Sequence, residues 1–130
     1  MKMKKLLILL FSILISFNSY GEWTKIAESN FGDTYYVDYE TIKKNNEYLY
    51  YWQLDDYLEP LSDADGPKFS SILMYKVDCD SLSYKRLTAT FYSGQMGKGT
   101  SKTISIDDDW LNTPSGSGGT LIRNELCLSY

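Results

Sequence analysis

The chain contains no histidine. That removes the commonest general base and the commonest zinc and copper ligand. It has only two cysteines, Cys79 and Cys127, too few and too widely spaced for a Cys-rich metal site. Serine without histidine leaves rarer nucleophile pairs such as Ser–Lys, and no motif points to one. Positive charge is also short, with 13 Lys and Arg against 17 Asp and Glu. An acidic chain is a poor partner for nucleic acid or for an anionic membrane surface. After Phe17 there is no long apolar run. These absences leave no catalytic, metal or cofactor residues to nominate, and an enzyme is not expected.

The N-terminus reads differently from the rest. Lys2, Lys4 and Lys5 precede the apolar run Leu6 to Phe17, and Ser19-Tyr20-Gly21 places small residues at −3 and −1 of a cut between Gly21 and Glu22. This is the pattern of a secretory signal peptide. As a helix the run would span only about 18 Å, short of a bilayer core of roughly 30 Å. Residues 1–21 are therefore expected to be removed, leaving one domain, 22–130, of formal charge −7 once three lysines are lost from a chain of −4. No cysteine follows the run, so no lipid anchor is expected. In an exported chain the two cysteines most simply pair with each other, the alternatives being two free thiols or an intermolecular bond. An internal bond would close a 48-residue separation and stabilise the fold by about 4 kcal/mol in the chain-entropy model.

The mature chain is tyrosine-rich, with 12 in all, and alternates with a period of two over most of its length. Strands are read at 23–28, 34–39, 47–57, 69–79, 83–93 and 100–106. The cleanest is 69–79, FSSILMYKVDC. It sets Phe69, Ser71, Leu73, Tyr75, Val77 and Cys79 on one face, and Ser70, Ile72, Met74, Lys76 and Asp78 on the other. In 83–93, Lys85, Leu87, Ala89 and Phe91 share a face. Residues 43–46 read as a hairpin turn, 58–68 as an acidic, proline-containing loop, 94–99 as a flexible glycine loop and 112–119 as a linker. The two-residue turn at Asp80-Ser81 makes its flanking strands antiparallel. Residues 120–130 could form a short helix capped by Thr120, but Cys127 falls about 140° around an ideal helix from Ile122, so the period alone does not fix this segment as helix.

Three local features tempt a chemical reading. Asp107-Asp108-Asp109 lacks the alternating acids and central glycine of a calcium loop, so a solvated turn is expected. Asp55 and Asp56 are neighbours on a strand, point to opposite faces, and cannot form a carboxylate pair. The 94–99 loop lacks the lysine–hydroxyl ending of a phosphate loop. Tyrosine is both an ordinary strand residue and a good adhesive side chain, and the structural role is the commoner one.

An ordered set of short motifs carries a resemblance. It comprises Trp23, Tyr35-Tyr36-Val37-Asp38 with Thr41-Ile42-Lys43, Trp52-Gln53-Leu54-Asp55-Asp56-Tyr57, Ser70-Ser71, and Val77-Asp78-Cys79-Asp80 with Arg86. Then come Tyr92, Met96-Gly97-Lys98-Gly99, Trp110, Pro114-Ser115 and Leu126-Cys127. In this order they resemble the bacterial surface-adhesin protein E family of small exported domains, over nearly all of 22–130. The resemblance implies an α+β fold: an antiparallel sheet of about six strands with a C-terminal helix on one face, held by a Cys79–Cys127 disulfide. Leu73, Tyr75 and Val77 would then form the floor under that helix. It also implies a non-enzymatic module that binds host extracellular-matrix or plasma proteins such as vitronectin or laminin, displayed at the cell surface or secreted. The alternative is a periplasmic envelope protein with an internal protein partner.

Overall fold

The computed structural model describes residues 22–62, 64–112 and 118–130. Residues 1–21, which carry the signal-peptide reading up to Gly21, lie outside the described residues; Glu22 is exposed. Seven strands form one sheet: β1 Thr24–Glu28, β2 Thr34–Val37, β3 Lys43–Asn45, β4 Tyr48–Leu61, β5 Lys68–Asp78, β6 Tyr84–Tyr92 and β7 Ser101–Ser105. The order is β1-β2-β4-β5-β6-β7 and every pairing is antiparallel. β3 pairs with the first residues of β4, on the same edge that β2 occupies further along. One helix, α1 Gly118–Ser129, follows.

The alternation at 69–79 becomes the sheet's two faces. Leu73, Tyr75 and Val77 join Val37, Leu49, Tyr51 and Ala89 in the core, and Ile122 and Leu126 of α1 close it. These helix residues are four apart and both are fully buried. Burying each contributes roughly 1.5–3 kcal/mol. Tyr51 and Tyr75 stack at 5.3 Å between ring centroids, so two of the tyrosines are core residues. Cys79 and Cys127 are disulfide-bonded with their Cα atoms 5.5 Å apart, fixing the end of α1 to the end of β5.

The awkward position of Cys127 has a simple cause. Arg123 is also buried, 2 % exposed, with its guanidinium 4.0 Å over the Tyr84 ring. The covered arc of α1 therefore runs from Ile122 through Leu126 and Arg123 to Cys127, about 140° at 100° per residue. An arginine inside that arc hid it from a count of apolar positions. The helix also starts before Thr120, at Gly118, so Thr120 lies inside the first turn and is not its cap.

Four further details depart from the sequence reading. The expected six strands become seven because Lys43–Asn45 pairs with β4, and the turn tightens to Asn46-Glu47 with Asn46 at φ 57°. The 58–68 loop shrinks because β4 runs on through Pro60 to Leu61, which pairs with Lys68 across an irregularity in the register. Backbone pairing outlasts the apolar pattern there. The 94–99 segment is pinned across the sheet. Ser70 Oγ donates to the Gly94 carbonyl at 2.7 Å and accepts from Gly97 N at 2.9 Å, while Met96 N donates to Asp56 Oδ1 at 2.8 Å. It covers Leu54 and Ile72, and Gly97 at φ +70° lies where a Cβ would come within 3.1 Å of Ile72 Cδ1.

The fourth detail is a bulge. Met74 pairs with Thr88 but Tyr75 pairs with Arg86, so Leu87 is an extra residue on β6, its carbonyl taken by Ile106 N at 3.0 Å. A bulge reverses the side-chain alternation beyond it. Lys85 therefore leaves the face of Ala89 and Phe91, where simple alternation puts it, and lies opposite Lys76 on the other side of the sheet. Tyr84 and Arg86 move to the helix side.

Truncating the helix anchor should separate core from surface. Leu126→Ala is expected to cost about 2–5 kcal/mol, and Leu128→Ala, 81 % exposed in the wild type, no more than about 0.5 kcal/mol. Urea denaturation under non-reducing conditions checks both; equal losses would mean that α1 does not sit on Ile122 and Leu126.

Candidate binding face

One face of the sheet is covered by α1. On the other, the 94–99 segment covers only the end carrying Leu54 and Ile72. The remainder of that second face is built by the even-numbered residues of β4 and β5. In register these are Tyr48 opposite Asp78, Tyr50 opposite Lys76, and Trp52 opposite Met74. The row through Tyr50 continues in both directions, to Lys43 on β3 and, because of the bulge, to Lys85 on β6.

Trp110 completes the face from a segment outside the strands. Leu111 bridges Tyr84 by two backbone hydrogen bonds, Tyr84 N to Leu111 O at 3.0 Å and Leu111 N to Tyr84 O at 2.8 Å. Arg86 Nε donates to Asp108 Oδ2 at 2.7 Å. That bond raises the Arg86 pKa and holds the Asp108 carboxyl below the usual carboxylate range. The acidic run thus includes a clamp: Asp108 fixes the chain, Asp107 and Asp109 are exposed, and Trp110 follows. Trp110 stacks on Tyr48 with centroids 5.5 Å apart and planes 27° from parallel. Lys76 Nζ lies 4.3 Å from the Tyr48 centroid, 5.7 Å from Tyr50 and 5.8 Å from Trp110, and Lys85 Nζ lies 5.1 Å from Trp110. Such ammonium–ring contacts are each worth about 0.5–1 kcal/mol at exposed sites. Tyr48, Tyr50, Lys76 and Lys85 are half-buried and Trp110 is exposed, so the cluster is ordered and accessible at once.

A polar row crosses the helix side of the sheet, with Tyr35 opposite Asp55 and Asp55 opposite Ser71. Asp55 accepts from Gln53 Nε2 at 2.7 Å, and the Tyr57 and Ser71 hydroxyls are 2.6 Å apart. Asp55 and Asp56 point to opposite faces as their adjacency requires, since Asp56 holds Met96 N on the other side. Burial pushes the Asp55 carboxyl up to about 6, against the pull of the Gln53 hydrogen bond and with help from the Asp33 charge. Burial likewise pushes the Tyr57 phenol up to about 12. Among the described residues, no group of three His, Cys, Asp or Glu side chains is placed to hold a metal ion.

The disulfide cysteines named from the sequence lie at the helix anchor, away from any cleft chemistry. Alternation alone places Tyr48, Tyr50 and Trp52 of 47–57 on one face. It does not bring Trp110, Lys43 or Lys85 to them. Those three depend on inter-strand register, on the bulge and on the Arg86–Asp108 clamp.

Together these features describe a small sheet-and-helix domain, tied by one disulfide, with an aromatic and cationic face left open. The chain belongs to the surface-adhesin protein E family, whose model matches residues 23–128. Its fold is similar to that of Haemophilus influenzae protein E, with a TM-score of 0.64 at 14 % identity over 83 % of this chain and 85 % of that one. A second crystal form of that protein matches with a TM-score of 0.61 at 16 % identity, over 74 % and 81 %. Protein E from non-typeable H. influenzae matches with a TM-score of 0.60 at 15 % identity, over 85 % and 86 %. No curated protein matches the chain. The family is one of bacterial surface proteins, and this chain is an adhesin-like member of it. No helix among the described residues is long and apolar enough to cross a membrane.

The raised Asp55 pKa has a definite sign. The folded chain holds this proton up to about pH 6 and the unfolded chain releases it near 3.8, so the charged carboxylate costs stability above pH 6. The cost fades as pH falls through that window and is gone below both values. Asp55→Asn should therefore be more stable than the wild type at pH 7.5, by at most about 3 kcal/mol. The two should converge near pH 3.5. Paired urea titrations between pH 3.5 and 8 decide it; a gap that does not change with pH would refute the assignment.

Proposed function

We propose that the chain is exported through its N-terminal signal peptide, cut between Gly21 and Glu22, and acts without catalysis as a binding module for a host extracellular-matrix or plasma protein. Vitronectin and laminin are the first partners to try, by likeness to the family. The observation that carries this reading is the family match over residues 23–128. The open aromatic face supports it. Tyrosine and tryptophan bring large contact area with little side-chain entropy to lose, and they are the residues on which binding energy concentrates. Tyr48, Tyr50 and Trp110 stand there already ordered by Lys76 and by one another. The adhesive role of tyrosine thus falls to those on this face, while Tyr51 and Tyr75 serve the core.

Two measurements test the proposal. Protease added to intact cells should degrade the protein, and the purified protein should bind immobilised vitronectin or laminin saturably at physiological salt. Trp110→Ala should weaken that binding about tenfold or more while costing the fold no more than about 3 kcal/mol, the worth of its stack and two ammonium contacts, so that the variant stays folded. If protease spares the protein and osmotic shock releases it, a periplasmic envelope protein with an internal partner replaces this reading.

A further inference from the structure

The row Lys43–Tyr50–Lys76–Lys85 crosses four adjacent strands on the open face. Three steps between strands make it about 14 Å long. Three of its four members are cations, in a chain whose acids outnumber its bases 17 to 13. Like charges placed directly opposite on neighbouring strands destabilise a sheet, and Lys76 and Lys85 are such a pair. Among the described residues no carboxylate lies within ion-pair distance of either. The ion pairs found are Lys25–Glu28, Arg86–Asp108 and Lys102–Asp65, and none involves Lys43, Lys76 or Lys85. The bulge at Leu87 decides which cation meets Lys76: without it Lys85 would face the helix side and Arg86 would lie opposite Lys76. Bulges commonly re-aim a side chain beside a functional site. The bulge thus sets Lys85 in a cationic row beside Trp110 and Tyr48.

We propose that this row is the docking site for a short acidic segment of a protein partner, lying across the strands with its carboxylates on Lys43, Lys76 and Lys85. The assignment rests on the binding-module reading and names its partner's chemistry. An extended chain carries same-side residues about 6.6–7 Å apart, so acids at three alternate positions span about 13–14 Å, the length of the row. Two observations favour a protein acid over a sulfated glycan. Sugar rings bind aromatic faces, and here Tyr48 and Trp110 turn theirs to each other and to the two ammonium groups. A densely charged polyanion would also meet the chain's net negative charge and the nearby Asp78, Asp107 and Asp109, whereas a segment with two or three carboxylates is matched by the row itself.

The probe is a synthetic 12-residue peptide with glutamates at three alternate positions in a Gly-Ser background, beside a lysine counterpart and heparin. Amide chemical shifts of the purified disulfide-bonded protein give both affinity and location. The expected result is saturable binding of the glutamate peptide alone, with shifts at 43, 50, 76, 85 and 110 and affinity falling at least tenfold between 50 and 500 mM salt. Lys85→Glu turns the repelling pair into an attracting one but gives up the ammonium contact with Trp110. The folded-to-unfolded ratio of this variant should therefore stay within about fivefold of the wild type's, about 1 kcal/mol, yet it should bind the glutamate peptide at least tenfold more weakly. Lys43→Ala, at an exposed position, supplies an independent loss. The proposal is overturned if the peptide is not bound, if the shifts map to the helix side, if Lys85→Glu binds as the wild type does, or if heparin binds the row and displaces the peptide. If the glutamate peptide binds the row but neither vitronectin nor laminin is bound, the acidic-segment site stands and the host-protein reading falls. If either host protein binds the wild type and the Lys76→Glu/Lys85→Glu chain equally, the host-protein reading stands and this site falls.

Discussion

The packing of Ile122 and Leu126 against Leu49, Tyr51, Tyr75 and Val77 is the contact on which the rest of the molecule depends. A single antiparallel sheet has two faces and needs at least one covered to be stable in water. Here a twelve-residue helix does that. A free helix of this length is marginal, so α1 owes its stability to the face it covers. The disulfide keeps the two together by joining the last turn of α1 to the end of β5. Once one face is committed to the helix, every odd–even choice along β4 and β5 is settled, and the other face is left to solvent.

That commitment explains why the second face can afford polar and aromatic residues. At one end the 94–99 segment folds over Leu54 and Ile72 and satisfies buried Ser70 and half-buried Asp56 with its own backbone groups. Beyond it, Tyr48, Tyr50 and Trp110 are held by stacking and by Lys76, with no need of a second layer. Ring faces stacked on one another or covered by ammonium groups are shielded from indiscriminate apolar contact, while their edges, their polar tips and the charges stay available to a partner.

The core strands, their antiparallel sense and the cysteine pairing were legible because they depend on local period and on compartment. Residues 69–79 alternate as a half-buried strand must, and Leu73, Tyr75 and Val77 do carry the helix. The helix itself was half legible. Its apolar positions fit, but Arg123 sits inside the buried arc over Tyr84 and breaks the pattern. The open face was least legible. Its rows are fixed by register between strands far apart in sequence, and its turning point is one extra residue, Leu87, in a run that reads as uninterrupted alternation. Trp110 arrives through backbone bonds to Tyr84 and an ion pair between Arg86 and Asp108, 22 residues apart, neither of which leaves a periodic mark.

The bulge links these observations. Moving Lys85 to the open face also moves Tyr84 and Arg86 to the helix side. Tyr84 then lies under the guanidinium of Arg123, and Arg86 reaches Asp108, which anchors the segment bearing Trp110. A single inserted residue therefore places a ring against the buried arginine, a clamp behind the tryptophan and a lysine beside it. Pairing Leu87 into the ladder opposite Tyr75 would reverse all three at once: Lys85 would be driven toward the apolar core opposite Val77, and Tyr84 and Arg86 would turn to the open side. Because that register would bury an unpaired lysine and still set a cation, Arg86, opposite Lys76, the core itself favours the bulged register. The open face's charge row is thus held in place by the packing on the opposite side of the sheet.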